Sequence, residues 1–428
     1  MAIADAIDQA PDLVPIRVLR IAYRHACWRP GEYLRASGGL FGWLLLRAVG
    51  QAVLVIALAR LLGATGYGQF ITILAVASLF APLAGLGVQG VLLRDGARNP
   101  RGLPGQLCTA LRLWWLSTAV FGTIGVAAAL VVVPHDAQGA AVAALVLAEV
   151  GSSSLMEIVA RSQQSQQRTQ RFGAILAGLV LARLTALVVY AMLARPEVNG
   201  WMWAYAVGSL AYTAWLILRT QRDLLSSRPP CAPLWPLVRE GLPFAVASLS
   251  LRLQAEFNKP VLAQLGFALA GNFSAAQRAV DIASLPLVAM QEALWARLYA
   301  SADYQRRMLV TAAFLLLFAL LGGVVLYLVA PLLPLLLGPG FEQTVHLLQL
   351  LALLPMVQLV RNFGGFKVMA SGNTRTLGHA YFIGSVVSII TTLALVRYYG
   401  LSGAVTAAYI SEIAIIFILF SWGSNDEV

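Results

Sequence analysis

Long apolar segments recur along almost the whole chain and constrain its fold more than any other feature. A helix needs about 20 mostly apolar residues to cross a bilayer. Twelve segments of the 428-residue sequence approach or exceed this length. Hydrophobic residues make up 59% of the chain and charged residues 11%, whereas a soluble domain has about 45–50% and about 25%. The sequence therefore predicts an all-α polytopic membrane protein. The segments are 38–60, 69–93, 107–133, 139–160, 172–194, 201–218, 242–264, 272–296, 308–330, 345–370, 380–396 and 403–421.

A glycine-rich link between the first two apolar segments returns in the second half of the chain. Residues 62–70 read LGATGYGQF, and residues 265–273 read LGFALAGNF. A constant offset of 203 residues aligns one leucine, two glycines and one phenylalanine, and it also relates Arg94 to Arg297. A repeat at about half the chain length indicates two copies of one unit. We expect an N-lobe over 38–218 and a C-lobe over 242–421, joined by a proline-rich linker over 219–241.

The distribution of Lys and Arg predicts the orientation of the chain. If the N-terminus is cytoplasmic, the inner segments carry 19 of the 30 basic residues, the outer links carry 3, and 8 lie within the spans. Positive residues concentrate on the cytoplasmic side, so both terminal tails, 1–37 and 422–428, are predicted to be cytoplasmic. The net charge of +11 then reflects topology and does not indicate a nucleic-acid partner. Residues 16–28 suit either a basic surface helix or a solvated tail.

Four segments between or beside the apolar runs have characteristic sequences: Ala59-Arg60-Leu61-Leu62-Gly63 with Gly66-Tyr67-Gly68, Ala84-Gly85-Leu86-Gly87-Val88 with Leu93-Arg94-Asp95, Ser371-Gly372-Asn373-Thr374-Arg375, and Tyr399-Gly400-Leu401-Ser402-Gly403-Ala404. These segments resemble the turns of the polysaccharide and O-antigen flippases, the oligosaccharidyl-lipid branch of the multidrug/oligosaccharidyl-lipid/polysaccharide exporter superfamily. The chain departs from the pattern at Gly85, where many members carry an acid.

The resemblance implies two six-helix lobes related by a pseudo-two-fold repeat around a central cavity that opens alternately to each side. The implied cargo is an undecaprenyl-pyrophosphate-linked oligosaccharide, carried across the bacterial inner membrane for exopolysaccharide or O-antigen synthesis. Expected partners are membrane lipids, a polysaccharide polymerase and a chain-length regulator. We expect no cofactor and no metal.

Cationic side chains within the predicted spans are the candidate cargo site. A charge at mid-bilayer costs about 2.5–3.5 kcal/mol, so it usually faces a cavity or a partner. Four arginines lie near mid-span, whereas Lys259 and Arg278 lie nearer the outer edge, and Arg112 and Lys367 can snorkel to the inner surface. Guanidinium groups bind phosphate oxygens in a fork and stay charged when desolvated. The candidate pyrophosphate ligands are Arg47, Arg183, Arg252, Arg361, Lys259 and Arg278.

Two acids, Glu256 and Asp281, are candidate ion-coupling residues. The alternative is structural pairing, because Glu256 is four residues from Arg252 and three from Lys259, and Asp281 is three from Arg278. Both interpretations stay open at this point.

Three other residue groups receive simpler predictions. The pairs Trp114-Trp115 and Trp201-Met202-Trp203 are predicted to be interfacial belts. The three cysteines are predicted to be isolated structural residues. Amides within or beside the spans could bind sugars, and these are Gln51, Gln89, Gln254, Asn258, Asn272 and Gln277.

Three other functions compete with the flippase. A multidrug antiporter of the same superfamily would carry organic cations and favour an acidic cavity. A membrane enzyme would need a large outer loop and a nucleophile beside a base, and neither pattern occurs, so we expect no enzymatic activity. A scaffold of the polysaccharide assembly machinery would not need the arginines.

Overall fold

The computed structural model describes residues 30–132, 138–193, 195–227, 230–288, 290–291, 304–370 and 374–422. Side chains at some helix ends, including 30–40, lie outside this description. Three features used in the sequence analysis also lie outside the described residues. They are the basic segment 16–28 of the N-terminal tail, the turn 371–373, and Arg297, which supported the repeat.

The described chain is built from α-helices and one short 3-10 turn. The N-lobe comprises α1 (Pro30–Phe80), α2 (Val88–Arg98), α3 (Leu103–Val132), α4 (Gly139–Ser165), α5 (Thr169–Leu193) and α6 (Val198–Ser227). The C-lobe comprises α7 (Leu234–Glu256), α8 (Asn258–Ala263), α9 (Phe267–Ala283), α10 (Tyr304–Val329), the 3-10 turn Ala330–Leu332, α11 (Leu333–Leu337), α12 (Gln343–Leu351), α13 (Leu354–Ala370) and α14 (Thr374–Trp422).

The helices have the length and apolarity of membrane spans. Eight helical stretches of the described chain meet this criterion. Two of them, within α1 and α14, contain a kink and are long enough to cross twice. The helices α7, α8 and α9 occupy the seventh and eighth predicted spans. The chain is thus a multi-pass membrane protein with about twelve spans in two six-helix lobes, which confirms the predicted fold class.

The glycine-rich repeat places a glycine with positive φ at the equivalent position in both lobes. Gly63 kinks α1 with φ 67°, and its equivalent Gly266 precedes α9 with φ 153°. Only glycine adopts such values without strain. The aligned phenylalanines Phe70 and Phe273 are both buried, one in each lobe's core.

The lobes meet through pairs of glycines at both ends of the bundle. At the predicted outer end, a Cβ on Gly68 would lie 1.7 Å from the carbonyl oxygen of Phe267, and a Cβ on Gly271 would lie 2.5 Å from that of Ala64. At the predicted inner end, a Cβ on Gly87 would lie 2.1 Å from the carbonyl oxygen of Gly241. The helix backbones approach this closely only because these positions lack side chains.

Helix boundaries depart from the prediction in three places. The second span is interrupted by a turn at 81–87, where Leu86 has a positive φ, before α2 begins. The tenth span is divided between α12 and α13. Most of the predicted linker is helical, since α6 and α7 extend into it. The tolerated Pro236 lies in the first turn of α7, where its missing N–H is not needed.

Two predictions about aromatic and cysteine residues are wrong. Trp115 and Trp203 are exposed, as an interfacial belt requires, but Trp114 and Trp201 are buried. Trp114 donates its Nε1–H to the hydroxyl of Ser154 at 2.9 Å, so its polar group is satisfied inside the N-lobe.

The cysteines are not all isolated either. Cys108 and Cys231 form a disulfide, which joins α3 to the segment before α7. A separation of 123 residues hides this pair from any spacing rule. The third, Cys27, lies outside the described residues.

Candidate functional site: a cationic cavity between the lobes

A polar cavity of about 250 Å³ lies between the lobes. It is bordered by α1, α4, α5 and α6 on one side and by α7, α8 and α9 on the other. A neighbouring cavity of about 380 Å³ shares Ser153, Glu157 and Arg252 with it. This second cavity extends to the 81–87 turn, towards the predicted inner end. The charged residues that line the two cavities are Arg47, Arg161, Arg183, Arg252, Lys259, Arg278, Glu149, Glu157 and Glu256.

The combined lining carries six cations and three carboxylates, which gives an excess of three positive charges. Five of the six predicted pyrophosphate ligands are among the cations. The hydropathy pattern alone did not assign Arg161, Glu157 or the aromatic residue Tyr205 to the cavity. Tyr205 carried no signal in the sequence that distinguished it from other span tyrosines.

Arg183 is held by the N-lobe at the cavity wall. Its Nη2 lies 2.5 Å from Oε2 of Glu149, and its Nε donates to the hydroxyl of Ser209 at 3.1 Å. The guanidinium carbon lies 4.5 Å from the ring centre of Tyr205, whose hydroxyl donates to the same Glu149 oxygen at 2.5 Å. Ser153 donates to the other oxygen at 2.7 Å. This arrangement neutralises Arg183 and fixes its position, so we assign it mainly to the architecture of the lobe.

A cluster of four charged residues lies in the C-lobe, and three of them, Glu256, Lys259 and Arg278, line the cavity. Glu256 forms a close ion pair with Lys259, which is 1% exposed, and lies 3.7 Å from Arg278. Arg278 also lies 3.6 Å from Asp281. Two of the pairs expected from sequence spacing therefore form. The expected pair between Arg252 and Glu256 does not form. Glu256 instead contacts Arg278, which comes from α9.

Arg47 and Arg252 differ from Arg183 and Arg278, which line the same cavity of about 250 Å³ and contact carboxylates. Within the described part of the chain, no carboxylate oxygen lies within 4.0 Å of either guanidinium. Arg47 projects from α1 in the N-lobe and Arg252 from α7 in the C-lobe, and both line the same cavity. Two guanidinium groups from opposite lobes are therefore available to an anionic ligand.

Arg361 does not line the cavity, contrary to the prediction. It lies within the C-lobe, where Nη1 contacts both oxygens of Glu412 at 2.9 Å. Its guanidinium carbon is 5.9 Å from the ring centre of Tyr381. Helix α13 turns this side chain towards α14 and away from the lobe interface. The mid-span position of Arg361 therefore predicted that its charge is held away from water, but its partner is Glu412 and not the predicted pyrophosphate. Asp281 is also absent from the cavity lining, and its side chain is 55% exposed.

Of the six amides predicted to bind sugars, two line the cavities and four do not. Gln51 and Gln89 line the cavities, as sugar ligands would. The others bond within the protein: Gln254 donates to the carbonyl of Tyr381, Asn258 accepts from Thr392, and Asn272 donates to the carbonyl of Gly340. Gln277 donates to the carbonyl of Ala255.

Comparison with known families identifies the chain. A model of the family described as polysaccharide biosynthesis protein matches residues 41–295, well over half of the sequence. The chain belongs to this polysaccharide biosynthesis family. The resemblance drawn from the turns is thereby confirmed. No curated protein sequence matches the chain.

Several solved transporter structures have a fold similar to that of this family member. The lipid II flippase MurJ, in an inward closed conformation, has a TM-score of 0.70 and 13% identity over 91% of this chain and 87% of that chain. An inward-facing multidrug resistance MATE transporter of the MOP superfamily has a TM-score of 0.66 and 14% identity over 87% and 94%. The MATE multidrug transporter DinF-BH, in complex with a ligand, has a TM-score of 0.62 and 14% identity over 91% and 95%. These identities show the fold alone.

Proposed function

We propose that the protein is a flippase for undecaprenyl-pyrophosphate-linked oligosaccharides, which it moves from the cytoplasmic to the periplasmic leaflet by alternating access. It would act in the bacterial inner membrane with both termini in the cytoplasm. The observation that carries the proposal is that Arg47 and Arg252 face one cavity from opposite lobes, with no carboxylate oxygen of the described residues within 4.0 Å of either. No covalent step is needed for this function.

The electrostatics of the cavity suit a diphosphate. A pyrophosphate is the part of such a cargo that is hardest to move through a low-dielectric core. An excess of three positive charges lowers that barrier, and guanidinium forks supply paired hydrogen bonds to phosphate oxygens. Because one arginine belongs to each lobe, a bound diphosphate would link the lobes and respond to their relative movement.

The C-lobe cluster offers a route for cargo binding to be coupled to an ion. Glu256 now neutralises Lys259 and contacts Arg278. An incoming diphosphate would compete with this carboxylate for both cations, and a proton on Glu256 would release them. Glu256 is therefore our preferred coupling residue, whereas Asp281 contacts Arg278 alone among the described residues.

A multidrug antiporter is the second candidate, because three carboxylates also line the cavities and MATE multidrug transporters share the fold. An organic cation must approach these carboxylates past six basic groups. The charge balance therefore favours the anionic cargo.

Reconstitution into liposomes tests the proposal. A lipid-pyrophosphate-oligosaccharide labelled on its sugar should become accessible from the opposite leaflet with the wild-type protein. Arg47→Ala and Arg252→Ala should each abolish this, and Arg→Lys should recover part of it because the charge survives without the fork. Arg112→Ala is the matched control, because Arg112 is exposed and outside the cavity. Full activity in both cavity variants, or transport of ethidium in place of the lipid, would refute the flippase.

A further inference from the structure

A separate cavity of about 140 Å³ lies on the N-lobe between α4, α5 and α6. It shares no lining residue with the central cavities. Charged residues occupy the end of this groove formed by the start of α5 and the last turns of α6, which is the predicted cytoplasmic end. Apolar residues line the deeper part. From Arg219 to Tyr212 along α6 the groove runs about 10 Å, given a rise of 1.5 Å per residue.

The basic groups at the rim form no ion pair with the described acids. Neither Arg171 nor Arg219 has a carboxylate oxygen of the described chain within 4.0 Å, although Asp223 also lines the mouth of the groove. The guanidinium carbon of Arg219 lies 5.4 Å from the ring centre of Trp215, which orients it at the mouth. Gln163 lines the same groove, and its Oε1 is buried without a hydrogen-bond donor among the described residues.

The deeper wall is fixed by one aromatic side chain. Tyr212 donates its hydroxyl to the carbonyl of Ile175 at 2.8 Å. Its ring lies so close to α5 that a Cβ on Gly178 would be 2.7 Å from it. A groove with a rigid apolar wall and a basic mouth, on the outside of a helical lobe, matches an amphiphile with an anionic head.

We propose that this groove binds a diacyl phospholipid with an anionic headgroup, of which phosphatidylglycerol is the best match. Its phosphate would lie between Arg171 and Arg219, because guanidinium forks pair with phosphate oxygens and basic pockets between helices bind lipid heads. A headgroup hydroxyl would donate to Gln163, and the first acyl carbons would pack along Tyr212. The site is independent of the proposed flippase activity.

Lipid titration followed by native mass spectrometry tests this site on the full chain in detergent. Phosphatidylglycerol should bind the wild type at least tenfold more tightly than phosphatidylcholine does. Each basic residue near the membrane surface contributes about 1 kcal/mol, so Arg171→Ala with Arg219→Ala should weaken binding about 30-fold. Arg171→Lys with Arg219→Lys should give an intermediate loss, and it serves as the readout if the alanine variant does not fold.

Two controls separate the groove from general charge and from free phosphate. Arg168→Ala with Arg222→Ala removes the same charge beside the same helices but outside the groove, and it should stay within about threefold of wild type. Ala174→Phe fills the groove, keeps both arginines and should weaken lipid binding. Equal losses in the two double alanine variants, no effect of Ala174→Phe, or displacement of the lipid by inorganic phosphate would overturn the proposal.

Discussion

Gly68 and Gly271 occupy equivalent positions of the two repeats and pack against each other across the lobe interface. A Cβ on Gly271 would lie 3.2 Å from the Cα of Gly68 and 2.5 Å from the carbonyl oxygen of Ala64. A Cβ on Gly68 would meet the carbonyl oxygen of Phe267. Ala64 and Phe267 are themselves related by the offset of 203 residues, so the two contacts are the same contact made twice. Such reciprocity is what a pseudo-two-fold axis requires.

We expect Gly68→Ala and Gly271→Ala to force this end of the interface apart. Overpacking typically costs about 1–3 kcal/mol, and a clash with backbone is relieved only by moving a helix. Both variants should lower the melting temperature in detergent, and Gly68→Ala, with the shorter contact, should have the larger effect. Transport should fall as well, because the proposed alternating access requires the lobes to pack closely at this end.

Gly322→Ala is the control for these substitutions. A Cβ at Gly322 would meet no atom within 4 Å, and the residue lies inside α10. Alanine favours a helix over glycine by about 1 kcal/mol, so this variant should be neutral or stabilised. A Gly68→Ala protein as stable and active as Gly322→Ala would contradict the close-packed interface.

The spans and the repeat could be predicted because each follows from the order of residues along the chain alone. Apolar runs fix the number of crossings, and the glycines at 63, 68, 266 and 271 appear in both halves at one offset. The order of residues does not reveal which neighbouring element a side chain faces from its helix. Arg47 and Arg361 look alike by depth, yet one faces the cavity and the other faces α14.

Partners far apart in sequence could not be predicted for the same reason. Arg183 and Glu149 are separated by 34 residues, and Arg361 and Glu412 by 51. Both pairs depend on how neighbouring helices are rotated. The pair Arg278 with Asp281 lies within one helix, α9, and was predictable because a spacing of three residues places both side chains on one face.

Arg361 should matter for stability, whereas the cavity arginines Arg47 and Arg252 should not. Arg361→Ala leaves Glu412 buried without its partner, which typically costs about 3–5 kcal/mol. Arg47→Ala and Arg252→Ala break no ion pair among the described residues and should change stability by less than about 0.5 kcal/mol. Thermal unfolding in one detergent distinguishes the two classes.

Replacing both members of the C-lobe pair provides the check. Arg361→Met combined with Glu412→Leu should be more stable than Arg361→Ala, because an apolar pair leaves no buried charge. If Arg361→Ala unfolds at the wild-type temperature while Arg252→Ala does not, the division between structural and cargo-binding arginines is wrong.

The disulfide offers a test of orientation. Cys108 and Cys231 lie at the end of the bundle that the distribution of Lys and Arg assigns to the cytoplasm. In a Cys27→Ser background treated with reductant, a membrane-impermeant maleimide should label both cysteines in inside-out vesicles and neither in right-side-out vesicles. Labelling only in right-side-out vesicles would invert the predicted topology. Omitting the reductant should block labelling if the bond is intact.

Glu256→Gln should separate cargo binding from ion coupling. Loss of the negative charge frees Lys259 and Arg278, so the variant should bind the diphosphate lipid more tightly than wild type does. Its transport should no longer respond to an imposed proton gradient, because the amide cannot exchange a proton. Binding is measured in detergent, and transport in liposomes with and without the gradient.

Asp281→Asn is the matched comparison, since it also removes one charge beside Arg278. Asp281 is half exposed and makes no contact with Lys259 within 4.0 Å among the described residues, so its loss frees a single cation at most. We expect gradient-dependent transport to survive in this variant. If Asp281→Asn abolishes the gradient response and Glu256→Gln preserves it, then Asp281 is the coupling residue. The proposed competition between the cargo and Glu256 would then be wrong.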